Sequence, residues 1–475
     1  MLSSNREGAP LADEELGIAA LDSLRAEDEP WLFAVLEPPP EFDLMRGPRS
    51  TIVFGEAGSG KSAICRVLKQ LAQQGEGGKK QLLVEWRPRP PKATTEISTE
   101  LVDEQLREIL DRCAETTLVY LAYHPTAFYN APNWAQEVLA WFVRSHLRGD
   151  LELRTGQLQS EIDGAGAKLL GEFAIWAVRE VLAPDAAPEY VIRELIKALD
   201  KVDVDGVWVL VDDLDVWTEA APELLSNGLT AFLSTLALFE QNGFAFKIFL
   251  PSGLERYLSG VSGITRRRVG VHYLHWSPQK LERVVLRRLW KALGCTFDGL
   301  ETICEDKTLL TWLERCGGYT PAGWLEYVRP LAAAYLEHQR SGNSRPITKK
   351  EWLEIRRRHP PQLSLDRVHR RVQVGERVSK ELTEQQFALF EYMYNRAGDI
   401  CTRSELHFLA DLKLIHEPVI GEAAYESPND YSGQLETAIW RLREALEPDP
   451  KHPFFIVTMK GKGYRLENAF KPSTM

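Results

Sequence analysis

A chain of 475 residues, 44% of them hydrophobic, has material for about two to four domains with sizeable cores. Its net charge of −11 argues against a protein that coats nucleic acid without specificity, although a local basic surface is compatible with it. No apolar run reaches the length of a membrane span, and the six cysteines, none in CxxC spacing, read as reduced thiols of a cytoplasmic protein with no membrane partner. In chain order, residues 1–48 read as an acidic leader that lacks the basic and apolar regions of a signal peptide, with a short apolar element over 31–36.

The strongest signal follows. The apolar run 51–54 leads into Gly55-Glu56-Ala57-Gly58-Ser59-Gly60-Lys61-Ser62 and then into the apolar helical pattern 63–68. Strand, glycine-rich turn and helix in that spacing make a phosphate-binding P-loop. Glycines let backbone N–H groups curl around an oxyanion, and the helix start adds its positive dipole end. In this reading Gly55 to Ser62 bind ATP, Lys61 faces the β- and γ-phosphates, and the Ser62 hydroxyl is a ligand for Mg²⁺.

Residues 81–86 read as a buried strand that ends at the Pro-rich segment 87–91. Residues 98–147 are helical in pattern, with Leu106, Ile109, Leu110 and Cys113 on one face. The pattern continues over 150–185, with an apolar stripe through Leu169, Phe173, Trp176 and Ala177. These stretches, about 98–185, form a helical insertion that is a candidate surface for a protein partner. A helix over 191–199 leads into the apolar run 207–211, which reads as a buried parallel strand. Asp212 and Asp213 close it. Asp212 is the expected Mg²⁺ ligand, and Asp213 the group that orients or deprotonates the attacking water. Asp215 stays open for either role.

The glycine turn and the paired acids resemble the P-loop NTPases of the additional-strand group, the AAA+ and STAND families. Lys61 and Asp212 lie about 150 residues apart, well beyond a minimal core of this kind. A helix near 224–240 and a strand over 246–250 come next, ending at Ser252. By the AAA+ resemblance Ser252 is the polar residue that touches the γ-phosphate water, although STAND proteins usually carry Arg there. Arg266, Arg267 and Arg268 admit two readings: a solvated face, or a finger reaching a neighbouring subunit's γ-phosphate in an ATP-bound homo-oligomer. The strand-like stretch 269–275 closes the core, expected over 49–275. A helix begins at Ser277 and Pro278, with Leu281, Val284, Val285 and Leu289 as its buried stripe, and opens a helical lid over 276–340. Gly317, Gly318 and Pro321 resemble the glycine–proline turn of STAND lids, with one residue inserted.

Residues 341–362 read as a linker, and 363–475 as a small α+β domain. Its segments 382–390 (capped by Thr383), 395–398, 402–406, 439–443 and 456–466 resemble, in order, the first helix, turn, second helix, recognition helix and wing of OmpR/PhoB-type winged helices. The stretch 413–430 departs from that family. In the helix expected over 431–447, Leu435, Ile439, Leu442 and Leu446 make a core stripe. Thr437 and Arg441 lie opposite, with Gln434 and Arg443 on the flanks. Such side chains reach base edges or phosphates in a major groove, and Lys460 and Lys462 of the wing reach the DNA backbone. The expected fold class is therefore α/β: a parallel P-loop NTPase sheet with a helical insertion and lid, plus a winged helix. The resemblances imply an ATP-controlled regulator of transcription that binds double-stranded DNA. Two alternatives remain: an initiator or loader ATPase acting on DNA, and an interaction scaffold of a defence or signalling complex.

Overall fold

The computed structural model describes residues 21, 32–39, 41–75, 80–88, 99–162, 164–175, 181, 186–214, 222–261, 264, 266–343, 345–406 and 432–468. Within the expected leader, residues 1–20, 22–31 and 40 lie outside those residues, as do the end of the 150–185 stripe at Trp176 and Ala177, Asp215 and the stretch 413–430. The chain is α/β: a five-stranded parallel sheet flanked by helices, with two small antiparallel sheets. It divides into two compact units, the first built mainly of Pro38–His275 and the second of Trp276 onward.

In the first unit the strands are β1 (Thr51–Gly55), β2 (Lys80–Glu85), β3 (Val204–Val211), β4 (Phe244–Pro251) and β5 (Gly270–Tyr273). Their order is β2-β3-β4-β1-β5, and every pair is parallel. β1 is buried at every position, as are the last six residues of β3 and the first seven of β4, which is why these strands read as continuous apolar runs. Alternation across the pleat divides them between two cores. Val53, Leu210 and Phe249 pack with Ile64, Cys65 and Leu68 of the helix Lys61–Gln74. Ile52, Phe54, Val209 and Ile248 face the other core.

That second core takes in the predicted insertion. Leu106, Ile109, Leu110 and Cys113 of the helix Thr99–Tyr123 are buried there together with Val84 of β2, as are Leu169 and Phe173 of the helix Ala165–Ile175. The helix expected near 224–240 is broken into Pro222–Leu233 and Leu236–Phe239. At the break the Ser234 hydroxyl donates back to the Thr230 carbonyl (2.7 Å), and the Thr235 amide donates three residues back to Phe232 (3.0 Å), which tightens the turn out of α geometry.

The second unit starts with the helix Pro278–Leu293. Ser277 caps it by accepting from the Lys280 amide, Pro278 occupies its first turn, and Gly294 ends it in the left-handed region. Leu281, Val284, Val285 and Leu289 are buried as their spacing requires. The helices Leu309–Cys316, Pro321–Arg340 and Lys349–Arg358 follow. The last of these lies inside the stretch read as a linker. A capping box between Thr348 and Glu351 starts it, and Trp352 is buried against Trp312.

An antiparallel sheet of β6 (Leu363–Asp366), β7 (Arg371–Val374) and β8 (Arg377–Val378) comes next. The helix Glu384–Asn395 and β9 (Ile400–Thr402) lead to the helix Ser432–Leu446 and to the hairpin β10 (Ile456–Met459) and β11 (Gly463–Leu466), with sheet order β10-β11-β9. Gly463, at φ 146°, sits where β11 crosses β9, and a Cβ there would collide with the Cys401 carbonyl. This part packs on the preceding helices: Phe454 meets Trp312 edge-on at 5.0 Å, and the Glu376 amide donates to the Cys316 carbonyl at 2.9 Å.

Candidate functional site at the glycine turn

β1 ends at Gly55 and a helix begins at Lys61, so residues 56–60 turn the chain across the carboxyl ends of the strands, where open parallel sheets bind ligands. Gly58 and Gly60 hold φ of 72° and 92°, which side-chain-bearing residues resist. A Cβ at Gly55 would strike the Ser59 hydroxyl. The turn thus needs its glycines. It leaves the first N–H groups of the helix Lys61–Gln74 without intrahelical acceptors. Lys61 is buried, and its ammonium donates to the carbonyls of Gly55 (3.1 Å) and Glu56 (3.0 Å).

The chain returns to this place at the end of β3. Asp212 follows the last strand residue, and its carboxyl hydrogen-bonds the Ser62 hydroxyl. Burial pushes the Asp212 carboxyl above its ordinary range, while the Asp213 amide, Ser62 and the charge of Lys61 pull it back. Burial and the Asp212 charge also drive up the thiol of Cys65, one turn along the helix, so Cys65 is inert packing. Asp212 Oδ1 is buried without a hydrogen-bond partner. A hydroxyl beside a carboxylate with an uncommitted oxygen is a hard-oxygen pair of the kind Mg²⁺ takes. Among the described residues no group of three or more His, Cys, Asp or Glu could hold a metal. An ion held by Ser62 and Asp212 would therefore complete its shell with waters and phosphate oxygens.

Asp213 adopts φ 63° and forms an ion pair with Arg87 at 2.6 Å. Sequence reasoning missed Arg87, which sits at the head of the Pro-rich segment. Its location follows from strand pairing: Glu85 is opposite Leu210, and the Trp86 amide donates to the Leu210 carbonyl. The next residue of each strand therefore emerges beside the other, which a one-dimensional pattern cannot show. Ser252 follows Pro251, whose register partner is Gly55. β4 lies between β1 and β3, so Ser252 emerges between the glycine turn and the two acids.

The three arginines lie elsewhere. β5 opens at Gly270 opposite Thr51, so Arg266, Arg267 and Arg268 are at the amino ends of the strands, away from the glycine turn of their own chain. All three are exposed, and Arg268 pairs with Glu240 at 3.0 Å.

In the second unit the helix Ser432–Leu446 buries Leu435, Ile439, Leu442 and Leu446. Arg441, Thr437, Lys460 and Lys462 are exposed, and Gln434 belongs to the same helix. The Thr437 hydroxyl donates back to the Gly433 carbonyl at 2.6 Å. Arg443 turns to the hairpin: its guanidinium donates to the Ile456 carbonyl (3.0 and 2.7 Å) and to the Thr458 hydroxyl (2.8 Å). Acids meet other cations of this surface, Glu436 with Arg403 at 3.0 Å and Glu467 with Arg465. No family model matches the chain.

Proposed function

We propose that this protein is a Mg-ATP-binding switch, or slow ATPase, that controls a C-terminal DNA-binding winged helix: a cytoplasmic transcriptional regulator of the STAND type that assembles when ATP-bound. The observation that carries the nucleotide half is the hydrogen bond between Ser62 and the half-buried Asp212. It joins the first turn of the helix after the glycine turn to the acid at the end of β3, next to Lys61. In this reading the 56–62 backbone and Lys61 hold the phosphates, and Ser62 and Asp212 hold the ion. Bound Mg²⁺ neutralises phosphate charge. Asp213 orients the attacking water, and Ser252 faces it. The position of β4 between β1 and β3 agrees with the additional-strand resemblance.

The DNA half rests on the exposed row of Thr437 and Arg441 with Lys460 and Lys462 on the adjoining hairpin. Calorimetric titration with Mg-ATP, followed by footprinting of the full chain with and without ATP, tests both halves. Lack of ATP binding ends the first, and lack of any footprint ends the second. A second reading, a protein-interaction scaffold, is favoured by one observation: Arg403, Arg443 and Arg465 are engaged within the C-terminal region itself. Arg441→Ala abolishing a protein contact while DNA goes unbound would establish that reading.

A further inference from the structure

The first unit holds a cavity of about 450 Å³ at the amino ends of its strands. Its lining comes from the carboxyl end of the helix Lys61–Gln74, the starts of β2 and β3, and Gly243 just before β4. It therefore lies at the opposite edge of the sheet from the glycine turn. That volume is within the range of small-molecule sites. Two features set it apart from a packing gap.

The first is that its groups are within reach of a ligand. Pro48, Gln74 and Asp205 are exposed and Leu71 and Gln81 half-buried, over an apolar base of Ala72 and Trp208. Among the described residues the side chains of Asp205, Gln74 and Gln81 have no hydrogen-bond or ion-pair partner. The second is charge. Asp205 is the one acid among the described lining residues, and Arg46, the one cation, is already paired with Asp43 at 3.0 Å. The helix Lys61–Gln74 brings its negative dipole end here, with no basic residue in its last turn. The Lys247 ammonium, 5.0 Å from the Trp208 ring centroid, is committed to the carbonyls of Gly47 and Arg49 at 2.6 Å each. Asp205 and the helix end thus face the cavity without a counter-charge.

We propose that this cavity binds a small organic cation: a protonated amine received by Asp205, on an apolar body that lies against Pro48 and Leu71. An ammonium carries three donors and no acceptor, so the amide oxygens of Gln74 and Gln81 complement the carboxylate. A bare metal ion fits less well, because hard cations take several oxygens and this lining is half apolar. The cavity also touches both elements that carry the glycine-turn site. The helix Lys61–Gln74 runs from it to Lys61, a length of about 20 Å. β3 runs from beside Asp205 to Val211, the residue before Asp212. As an input to ATP binding the cavity rests on the nucleotide reading; as a binding site it does not.

The test titrates the full chain with tryptamine, its neutral isostere tryptophol and the anion indole-3-acetate, read by ligand-observed NMR. Tryptamine should bind about fivefold more tightly than tryptophol, the worth of a solvent-exposed charge pair, and indole-3-acetate more weakly than either. Asp205→Asn should erase that preference while leaving the thermal midpoint in place, since the side chain is exposed and unpaired. Leu71→Trp fills the cavity without changing any charge, and it should abolish binding of tryptamine and tryptophol. Lys61→Ala should leave tryptamine binding unchanged, which excludes the glycine turn as its site. Mg-ATP titrations of the same preparations report the nucleotide reading separately. No binding of tryptamine, equal affinity for tryptamine and indole-3-acetate, or tryptamine binding indifferent to both cavity variants overturns the proposal.

Discussion

The glycine turn and the C-terminal helix–hairpin surface are both rich in charge, yet they handle it in opposite ways. At the turn, four chain segments far apart in sequence converge: 55–62, Arg87, 212–213 and Ser252. Lys61 is taken out of solvent there, and Asp212 is half-buried with its Oδ1 covered. A buried charge is expensive unless something compensates it, so such a convergence is what the proposed nucleotide site requires. The C-terminal surface draws on neighbouring segments, keeps its charges near water and engages several of them internally. Exposed pairs cost little to form and little to break. Charge at the turn therefore bears on the nucleotide proposal through buried groups, whereas charge on the surface bears on the DNA proposal only through the residues left outward, Arg441, Lys460 and Lys462.

The largest effect should come from the buried site. Lys61→Ala removes the ammonium beside Gly55 and Glu56 and should weaken Mg-ATP binding by about 1.5–3 kcal/mol in calorimetry. Unchanged affinity would erase the distinction drawn above, since the buried cation would then be structural.

Next comes the surface. Arg441→Ala should cost about 1–3 kcal/mol on a specific duplex if it pairs with a guanine edge, read by fluorescence anisotropy. Lys462→Ala should weaken all sequences alike and flatten the salt dependence by about one unit of slope. Arg443→Ala should instead lower the thermal midpoint, because that side chain ties the helix to β10. A specificity change without a stability change at Arg443 would contradict its structural assignment.

Glu447 sharpens the comparison from inside the second unit. Its buried carboxylate accepts from the amides of Phe454, Phe455 and Ile456 at 2.6–3.0 Å. Burial nevertheless pushes it up to about 7 from an ordinary 4.5. The folded state then holds a proton that the unfolded state has released between those values. The contribution to stability is complete below pH 4.5 and is lost as pH rises through 7. Glu447→Gln should remove this slope from urea midpoints measured over pH 4.5–7. It should also lower stability by about 1–3 kcal/mol, because an amide NH₂ would face backbone donors. A variant with the slope intact would assign the titration to another group.

The smallest effect is expected at Arg87. Its pair with Asp213 is largely exposed, so Arg87→Ala should change stability by no more than about 1 kcal/mol. Under the nucleotide reading the same variant should alter ATP turnover while leaving ATP affinity in place, since Arg87 holds the water-orienting acid. A change in affinity without a change in turnover would place Arg87 on the phosphates instead.

Local chemistry made much of this legible. Ser277, Pro278 and Gly294 bracket one helix, and the 55–62 turn is written in glycines because only they take its backbone angles. The capping box at Thr348 and Glu351 is equally present in the sequence, but its Pro- and Arg-rich flanks have the composition of a linker. Arg443 sits on the flank of a helical wheel, where periodicity leaves its direction open, and only the hairpin beside it decided the matter.

The sequence by itself determined which segments become strands, turns and helices, because caps, glycine conformations and apolar periods act over a few residues. The tertiary structure alone decided what meets what. β2 pairs with β3, so Arg87 comes to Asp213 from 126 residues away. Arg356 stacks over Trp312 and Trp352, and Phe454 closes on Trp312. Such contacts are set by strand register and helix packing, which depend on the whole buried surface at once and leave no periodic trace in any single stretch of chain.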